Sequence, residues 1–339
     1  MPLNNWMSAH WDKKLRDLVL PGSHDAGTIA GAVEFTLLGS ASNTVTQDLS
    51  IPDQLTAGTR FFDLRFSYRS GRIVPHHTTG GQGGYGTTTF ETILDRANDF
   101  CQQFPTEIVV FRISHTSTAC AHAIYNMFQG AAAVRRWQSL NTCRGNLCTK
   151  RIGELASKGG LILILEASKF GRYIDQNTGL HSYTKFKNGG DNPNGIATCG
   201  CFDGGHAISG VIRAALRGQE VHAGHSQDHL WQVYWQKTYK NPWSSTGIER
   251  GTRKVMTFSA VRSRPGQRTV HGGTHATTDH MLDLLQHSAL RTPTGRLPLP
   301  NIWSYDFVNT AINSTIVALN RRTAPVVGRD MLSPGLRGL

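Results

Sequence analysis

The sequence predicts an α/β fold, a distorted TIM-type (β/α)8 barrel in a single domain, on three observations. Short apolar runs rich in β-formers recur along the chain and are mostly continuous rather than alternating, as strands buried on both faces require. Stretches with apolar residues at helical spacing separate several of them, which is the βα alternation of a parallel sheet. Polar residues gather where the runs end, and barrels keep their chemistry at the carboxyl ends of their strands. The 339 residues suit one such barrel. No Gly/Ser/Pro-rich linker, low-complexity block or internal repeat divides them, so we expect a core over about residues 15–320 and a basic tail over 322–339.

Trp6 to Asp17 carries Met7, Trp11 and Leu15 four apart, which predicts an amphipathic lead-in helix over the barrel bottom. Leu18-Val19-Leu20 then stops at Pro21-Gly22, so a buried strand delivers Ser23, His24 and Asp25 into a loop. Val33 to Leu38, an apolar run between Gly31 and Gly39, falls on the same rim and is placed to touch a bilayer. Ser50 as cap and Pro52 in the first turn predict a helix that ends at Ala57-Gly58. Thr59 to Phe66 is the second strand. Residues two apart share a strand face, so Asp63 and Arg65 project together, and burying both is costly unless they pair or serve a ligand.

Arg72 to Pro75 reads as a third strand, ending in His76-His77. Thr88 to Glu91 has the form of a capping box, followed by a core stripe of Phe90, Ile93, Leu94, Ala97, Phe100, Cys101 and Phe104. Further strands are expected at Glu107 to Ile113, Leu161 to Leu165, Trp231 to Gln236, Val255 to Ala260 and Asn301 to Phe307, with a helix from Val308 to Arg321. Glu166 and Asp306 stand at strand ends, where an acid meets substrate.

Lys and Arg total 35 against 23 Asp and Glu, a net charge of +12 scattered along the chain. That surface favours an anionic phospholipid membrane; no nucleic-acid motif is present, and we expect a monomer. The six cysteines are too few for a disulfide scaffold; Cys143 and Cys148 either close a small loop in an oxidising compartment or stay reduced. Cys199-Gly200-Cys201 lacks partners for zinc, and His271, His275 and His280 read as a solvated loop, so no metal or other cofactor is expected. There is no run of about 18 apolar residues and no signal-type start, which leaves the protein secreted or peripheral at a membrane surface, with the cytoplasm also open.

Histidine and carboxylate in one loop suit acid/base work, and an arginine fork matches the oxygens of a phosphodiester. Read together, Ser23-His24-Asp25, the stretch from Gln54 through Arg60-Phe61-Phe62-Asp63-Leu64-Arg65, His76-His77, Phe258-Ser259-Ala260 and Tyr305-Asp306-Phe307 resemble the X domain of phosphatidylinositol-specific phospholipase C in its bacterial, metal-independent form. The resemblance implies that His24 is the general base on the inositol 2-hydroxyl, with Asp306 holding its ring. His77 would be the general acid, supported by Asp25 and Asp63, and Arg65 would bind the phosphate. The products would be diacylglycerol and inositol 1,2-cyclic phosphate. Where animal-type members place an acid and bind calcium, this chain has Arg65, which implies catalysis without calcium.

Two stretches depart from the bacterial pattern. Gln236-Lys237-Thr238-Tyr239 has Lys237 where an acid would grip inositol hydroxyls, although Tyr239, which would stack on the ring, is kept. Arg112-Ile113-Ser114-His115 lacks an expected lysine. Lys237, Tyr239, Ser114, His115 and Glu166 are therefore the expected headgroup contacts, and a lysine at 237 favours a phosphorylated or glycosylated headgroup. The alternatives are a glycerophosphodiesterase or phospholipase D-like enzyme on the same barrel, which would need a cluster of acidic ligands, and a non-catalytic module for anionic lipid.

Overall fold

The computed structural model describes residues 3–79, 82–186, 190–200, 228–235 and 300–321. Its strands in chain order are β1 (Leu20–Ser23), β2 (Val33–Phe35), β3 (Phe61–Arg69), β4 (Arg72–Thr79), β5 (Gln82–Gly86), β6 (Val109–Ser114), β7 (Leu161–Glu166), β8 (Leu180–Phe186), β9 (Gly195–Cys199), β10 (Leu230–Trp235) and β11 (Ile302–Tyr305). Parallel pairing runs from β3 through β6, β7, β8, β9, β10 and β11 to β1, and β1 pairs back onto β3, so eight strands close a barrel. Closure needs β1 to lie tightly between β11 and β3. At Gly22 a β-carbon would stand 3.1 Å from Ile302 Cγ2 and from Trp303 O, which is why the closing strand carries glycine there.

Alternate residues of each strand face inward and outward. Leu20, Phe61, Val110, Ile162, Ile164, Ile196, Leu230 and Ile302 belong to the cluster that fills the barrel. Phe62, Leu64, Phe111, Ile113, Leu163 and Leu165 pack outward against Phe90, Ile93, Leu94 and Ala97 of the helix Phe90–Gln103. The expected caps are present: Ser50 Oγ accepts from Asp53 N before the helix Ile51–Thr56, and Thr89, one residue later than the capping box placed it, accepts from Thr92 N. At the end of the chain the expected helix is Thr310–Ala318 with a 3-10 turn Leu319–Arg321.

Some expectations are corrected. The Arg72 to Pro75 run is not a barrel strand. Ser70 and Gly71, with φ of 49° and 77°, make a tight reversal, so β4 returns antiparallel along β3. A parallel neighbour would need a long crossover. β4, β5 and β2 form an antiparallel extension beside the ring. β8 and β9 take places in the ring that no apolar run announced, because polar groups meet between them: Tyr183 Oη lies 3.0 Å from Thr198 Oγ1. The lead-in is a set of 3-10 turns rather than one helix. Its backbone is recruited by the buried pair Arg60–Glu107, with Met7 N donating to Glu107 Oε1 at 2.7 Å and Arg60 Nη2 donating to Leu3 O at 3.0 Å. Cys143 and Cys148 are buried free thiols. Val255 to Ala260 (with the Phe258-Ser259-Ala260 stretch), the histidines at 271, 275 and 280, Lys237, Tyr239 and the 322–339 tail lie outside the described residues.

Candidate active site

The carboxyl ends of β1 and β11 are in register, Ser23 against Tyr305, so His24 and Asp306 leave the barrel side by side. His24 N donates to Tyr305 O at 3.1 Å. Gln47 bridges both strand ends, donating from Nε2 to His24 O at 2.8 Å and accepting from Val308 N at 3.0 Å. The chain turns sharply at Asp25, whose φ of 43° is unfavourable for a residue with a β-carbon. Thr46 Oγ1 and Thr28 Oγ1 hold the Asp25 carbonyl, at 2.7 and 3.1 Å, and Ala26 N donates to Asp63 O at 2.8 Å.

Every residue expected to carry the chemistry stands at this mouth. His24 Nδ1 is 2.7 Å from Asp306 Oδ1. Its Nε2 lies 3.2 Å from Arg65 Nη2 and 3.3 Å from Asp25 Oδ2. Arg65 Nε meets Asp25 Oδ1 at 2.6 Å. His77 Nε2 approaches Asp25 Oδ2 at 3.5 Å, and its Nδ1 is 3.3 Å from the carbonyl of Thr44. Asp25 is thus buried between two imidazoles and a guanidinium, while Arg65, His77 and Asp306 keep partial exposure toward the mouth.

Asp63 has a different principal partner from the one expected. Arg112 clamps it with Nε to Oδ1 at 3.0 Å and Nη2 to Oδ2 at 2.5 Å, and Arg65 Nη2 stands at 4.0 Å. Arg112 also donates from Nη1 to Tyr183 Oη, Gln232 Oε1 and Tyr234 Oη at 3.2, 3.2 and 3.0 Å, forming a polar layer under the mouth. Sequence reasoning passed over Arg112, Gln47 and Thr44. An arginine inside the apolar strand Val-Val-Phe-Arg-Ile was the available signal for the first; the other two act through an amide and a main-chain carbonyl, which leave none.

Ser114 Oγ donates to Asp63 Oδ1 at 3.3 Å and meets His115 Nδ1 at 3.0 Å. His115 itself adopts φ 54°, with its N–H given to Glu166 Oε2 at 3.1 Å and its carbonyl 3.3 Å from His76 Nε2. Ser114, His115 and Glu166 therefore form one group on the side of the mouth next to Asp63.

The electrostatics follow from these contacts. Burial works against the His24 cation, but Asp25 and Asp306 outweigh it and raise the ring above its ordinary pKa. Burial would lift Asp25, yet Arg65, His24 and His77 hold its carboxyl below the usual range. Asp63 is held well below it against burial, chiefly by Arg112 and then Arg65. His115 is lowered by burial and by Arg65. Among the described residues, the group able to share one metal ion is His24, Asp25 and Asp63, with ligand atoms within 4.8 Å of one another. Guanidinium groups already hold both of these carboxylates, so the set does not fit a cation.

Solved structures show the same architecture. A phosphatidylinositol-specific phospholipase C from Listeria monocytogenes superposes with a TM-score of 0.57 at 13% identity, covering 95% of this chain and 100% of that one. The chain has the barrel of a phosphatidylinositol-specific phospholipase C. The Staphylococcus aureus phosphatidylinositol-specific phospholipase C superposes with a TM-score of 0.56 at 17% identity, covering 94% of this chain and 97% of the other. In sequence, the chain is 36% identical over 95 residues to a PI-PLC X domain-containing protein of Dictyostelium discoideum, over 23% of this chain and 15% of that protein. It is 32% identical over 117 residues to the 1-phosphatidylinositol phosphodiesterase of S. aureus strain Newman, over 31% of this chain and 32% of the relative. The matched part thus spans no more than about a third of the curated relatives. No protein-family model matches.

Proposed function

We propose that this protein cleaves phosphatidylinositol, or a closely related inositol glycolipid, at a membrane surface as a phosphoric diester lyase, without a metal ion. The observation that carries the reading is the pair of imidazoles whose Nε2 atoms converge on Asp25 Oδ2, beside Arg65. His24 donates its Nδ1–H to Asp306 and turns Nε2 inward, where it takes the proton of the inositol 2-hydroxyl as that oxygen attacks phosphorus. The new P–O bond closes the cyclic phosphate. The bond to the glycerol oxygen breaks, and that oxygen takes the proton on His77 Nε2. Arg65 faces the charge that builds on the non-bridging oxygens.

The two rings are not equivalent, and the difference supports the roles given to them. His24 has a carboxylate on Nδ1 and His77 a neutral carbonyl. A carboxylate on Nδ1 stabilises the cation that forms when a ring takes up a proton, which suits His24 to the part of the base and leaves the part of the acid to His77. Phe35 (48% exposed), Leu37 (99%) and Leu38 (47%) form an apolar tip on the sheet that carries His77, and the +12 chain suits an anionic bilayer. The decisive experiment is phosphorus NMR of phosphatidylinositol vesicles treated with the protein in EGTA. A cyclic phosphate signal is expected; an acyclic first product, or activity that returns only with calcium, would refute the reading.

A further inference from the structure

We propose that the segment Thr44-Val45-Thr46-Gln47 is a positioning strap that sets the acid and the base against each other, with the Thr44 carbonyl holding a proton on Nδ1 of His77 so that the proton the ring gives up is the one on Nε2, facing the leaving group. The proposal rests on His77 and His24 having the roles given above. Within four consecutive residues the strap touches the acid, the shared carboxylate residue and the base. Thr44 O faces His77 Nδ1 at 3.3 Å, Thr46 Oγ1 donates to Asp25 O at 2.7 Å, and Gln47 Nε2 donates to His24 O at 2.8 Å. It also reaches the far side of the mouth, since Phe307 N, next to Asp306, donates to Thr46 O at 2.8 Å.

The acid is the group that most needs such a holder. A general acid must carry its transferable proton on the nitrogen aimed at the leaving oxygen; an acceptor at Nδ1 keeps Nδ1 protonated in either charge state, so Nε2 is the nitrogen that gains and loses the proton. His24 has Asp306 for this purpose; His77 has the Thr44 carbonyl.

That carbonyl has little latitude. Thr44 and Thr46 are buried, 1% and 4% exposed. The residues ahead of them are pinned to the sheet that bears His77: Thr36 donates from N and Oγ1 to Gly83 O at 2.9 and 3.0 Å. Phe35, Gly84 and His77 lie in one register row across β2, β5 and β4. A β-carbon on Gly84 would stand 2.6 Å from Glu34 O and 3.0 Å from Thr44 Cγ2, so the strap is seated directly on the strand beside the acid. Gly84→Ala therefore crowds Glu34 O, Val33 Cγ1 and Thr44 Cγ2 together, pressing the strap away from the strand that pairs with His77 while leaving the chemical identity of every group in the site unchanged.

The test compares two diesters on the full chain: phosphatidylinositol, whose alkoxide must be protonated to leave, and the 4-nitrophenyl phosphodiester of inositol, whose phenolate leaves unaided. Gly84→Ala is expected to lower kcat at least about tenfold on the lipid and less than about twofold on the aryl diester, because the general acid is worth about 10²–10⁴ only where it is needed. Gln47→Leu, at the base end, is expected to lower both alike. An independent readout is ¹⁵N NMR of the wild-type histidines, where His77 Nδ1 should be protonated. Equal losses on both diesters in Gly84→Ala, or a His77 ring with a bare Nδ1, would overturn the strap. Turnover of neither diester by the wild type would instead remove the proposed activity.

Discussion

The Nε2 atoms of His24 and His77 stand 3.3 and 3.5 Å from one atom, Oδ2 of Asp25. The histidines come from segments more than fifty residues apart, yet a single carboxylate oxygen measures the space between them, and Arg65 holds the other oxygen of that carboxylate at 2.6 Å. A phosphodiester seated against Arg65 would have a proton acceptor on one side and a proton donor on the other, as in-line attack by a neighbouring hydroxyl requires. His24→Ala and His77→Ala are each expected to lower turnover at least about a hundredfold with the fold retained. Phosphorus NMR of product formation, alongside circular dichroism, checks this.

Asp306→Asn should change the pH profile as well as the rate. His24 titrates above its ordinary value partly because of Asp306, and a base works only when unprotonated, so wild-type kcat/KM should rise through a point above 6.5. With the carboxylate neutralised, the rising limb moves to lower pH and the plateau drops. The same linkage has a sign in stability: the gain from charging His24 in the folded state is fully present below 6.5 and fades as pH passes the raised folded value. A limb that stays in place would disprove the coupling.

Arg112 neutralises Asp63 in the barrel interior, where both are buried. Arg112→Met leaves that carboxylate unpaired and should destabilise the protein by about 3–5 kcal/mol, whereas the double change with Asp63→Asn should recover much of the loss. Denaturant titration of the single and double variants measures the difference.

His181 is buried and accepts no charge easily: its pKa is lowered by burial to about 4, with Nε2 2.8 Å from Asn141 O. A histidine that is easier to protonate unfolded than folded stabilises the protein above pH 6.5 and loses that contribution as pH falls toward about 4, on the order of 3 kcal/mol. Melting temperatures between pH 7 and 4 should therefore fall less steeply in His181→Gln than in the wild type.

Leu37→Ser with Leu38→Ser should weaken binding to anionic vesicles several-fold while leaving turnover of the soluble aryl diester unchanged, since these side chains are exposed and outside the mouth. Vesicle co-sedimentation gives the binding; equal binding by the double variant would remove the apolar tip from the membrane contact.

Much of this was legible in the residues themselves. Runs such as Leu161 to Leu165 announce strands buried on both faces because continuous apolarity has no other stable placement, and the period-2 geometry of a strand already places Asp63 and Arg65 on one side. The ordered recurrence of His24, Asp63, Arg65, His77 and Asp306 pointed to the chemistry proposed above. Only the tertiary structure decided who partners whom. Pairing in the ring put Arg112 of β6 beside Asp63 of β3, and a tight reversal at Ser70-Gly71 turned the His76-His77 strand out of the barrel and back over its mouth. The strap from Thr44 to Gln47 reaches His77 through a main-chain carbonyl, which every residue possesses, and reaches Asp25 and His24 through a hydroxyl and an amide that are common on any surface, so its role depends on where the chain passes.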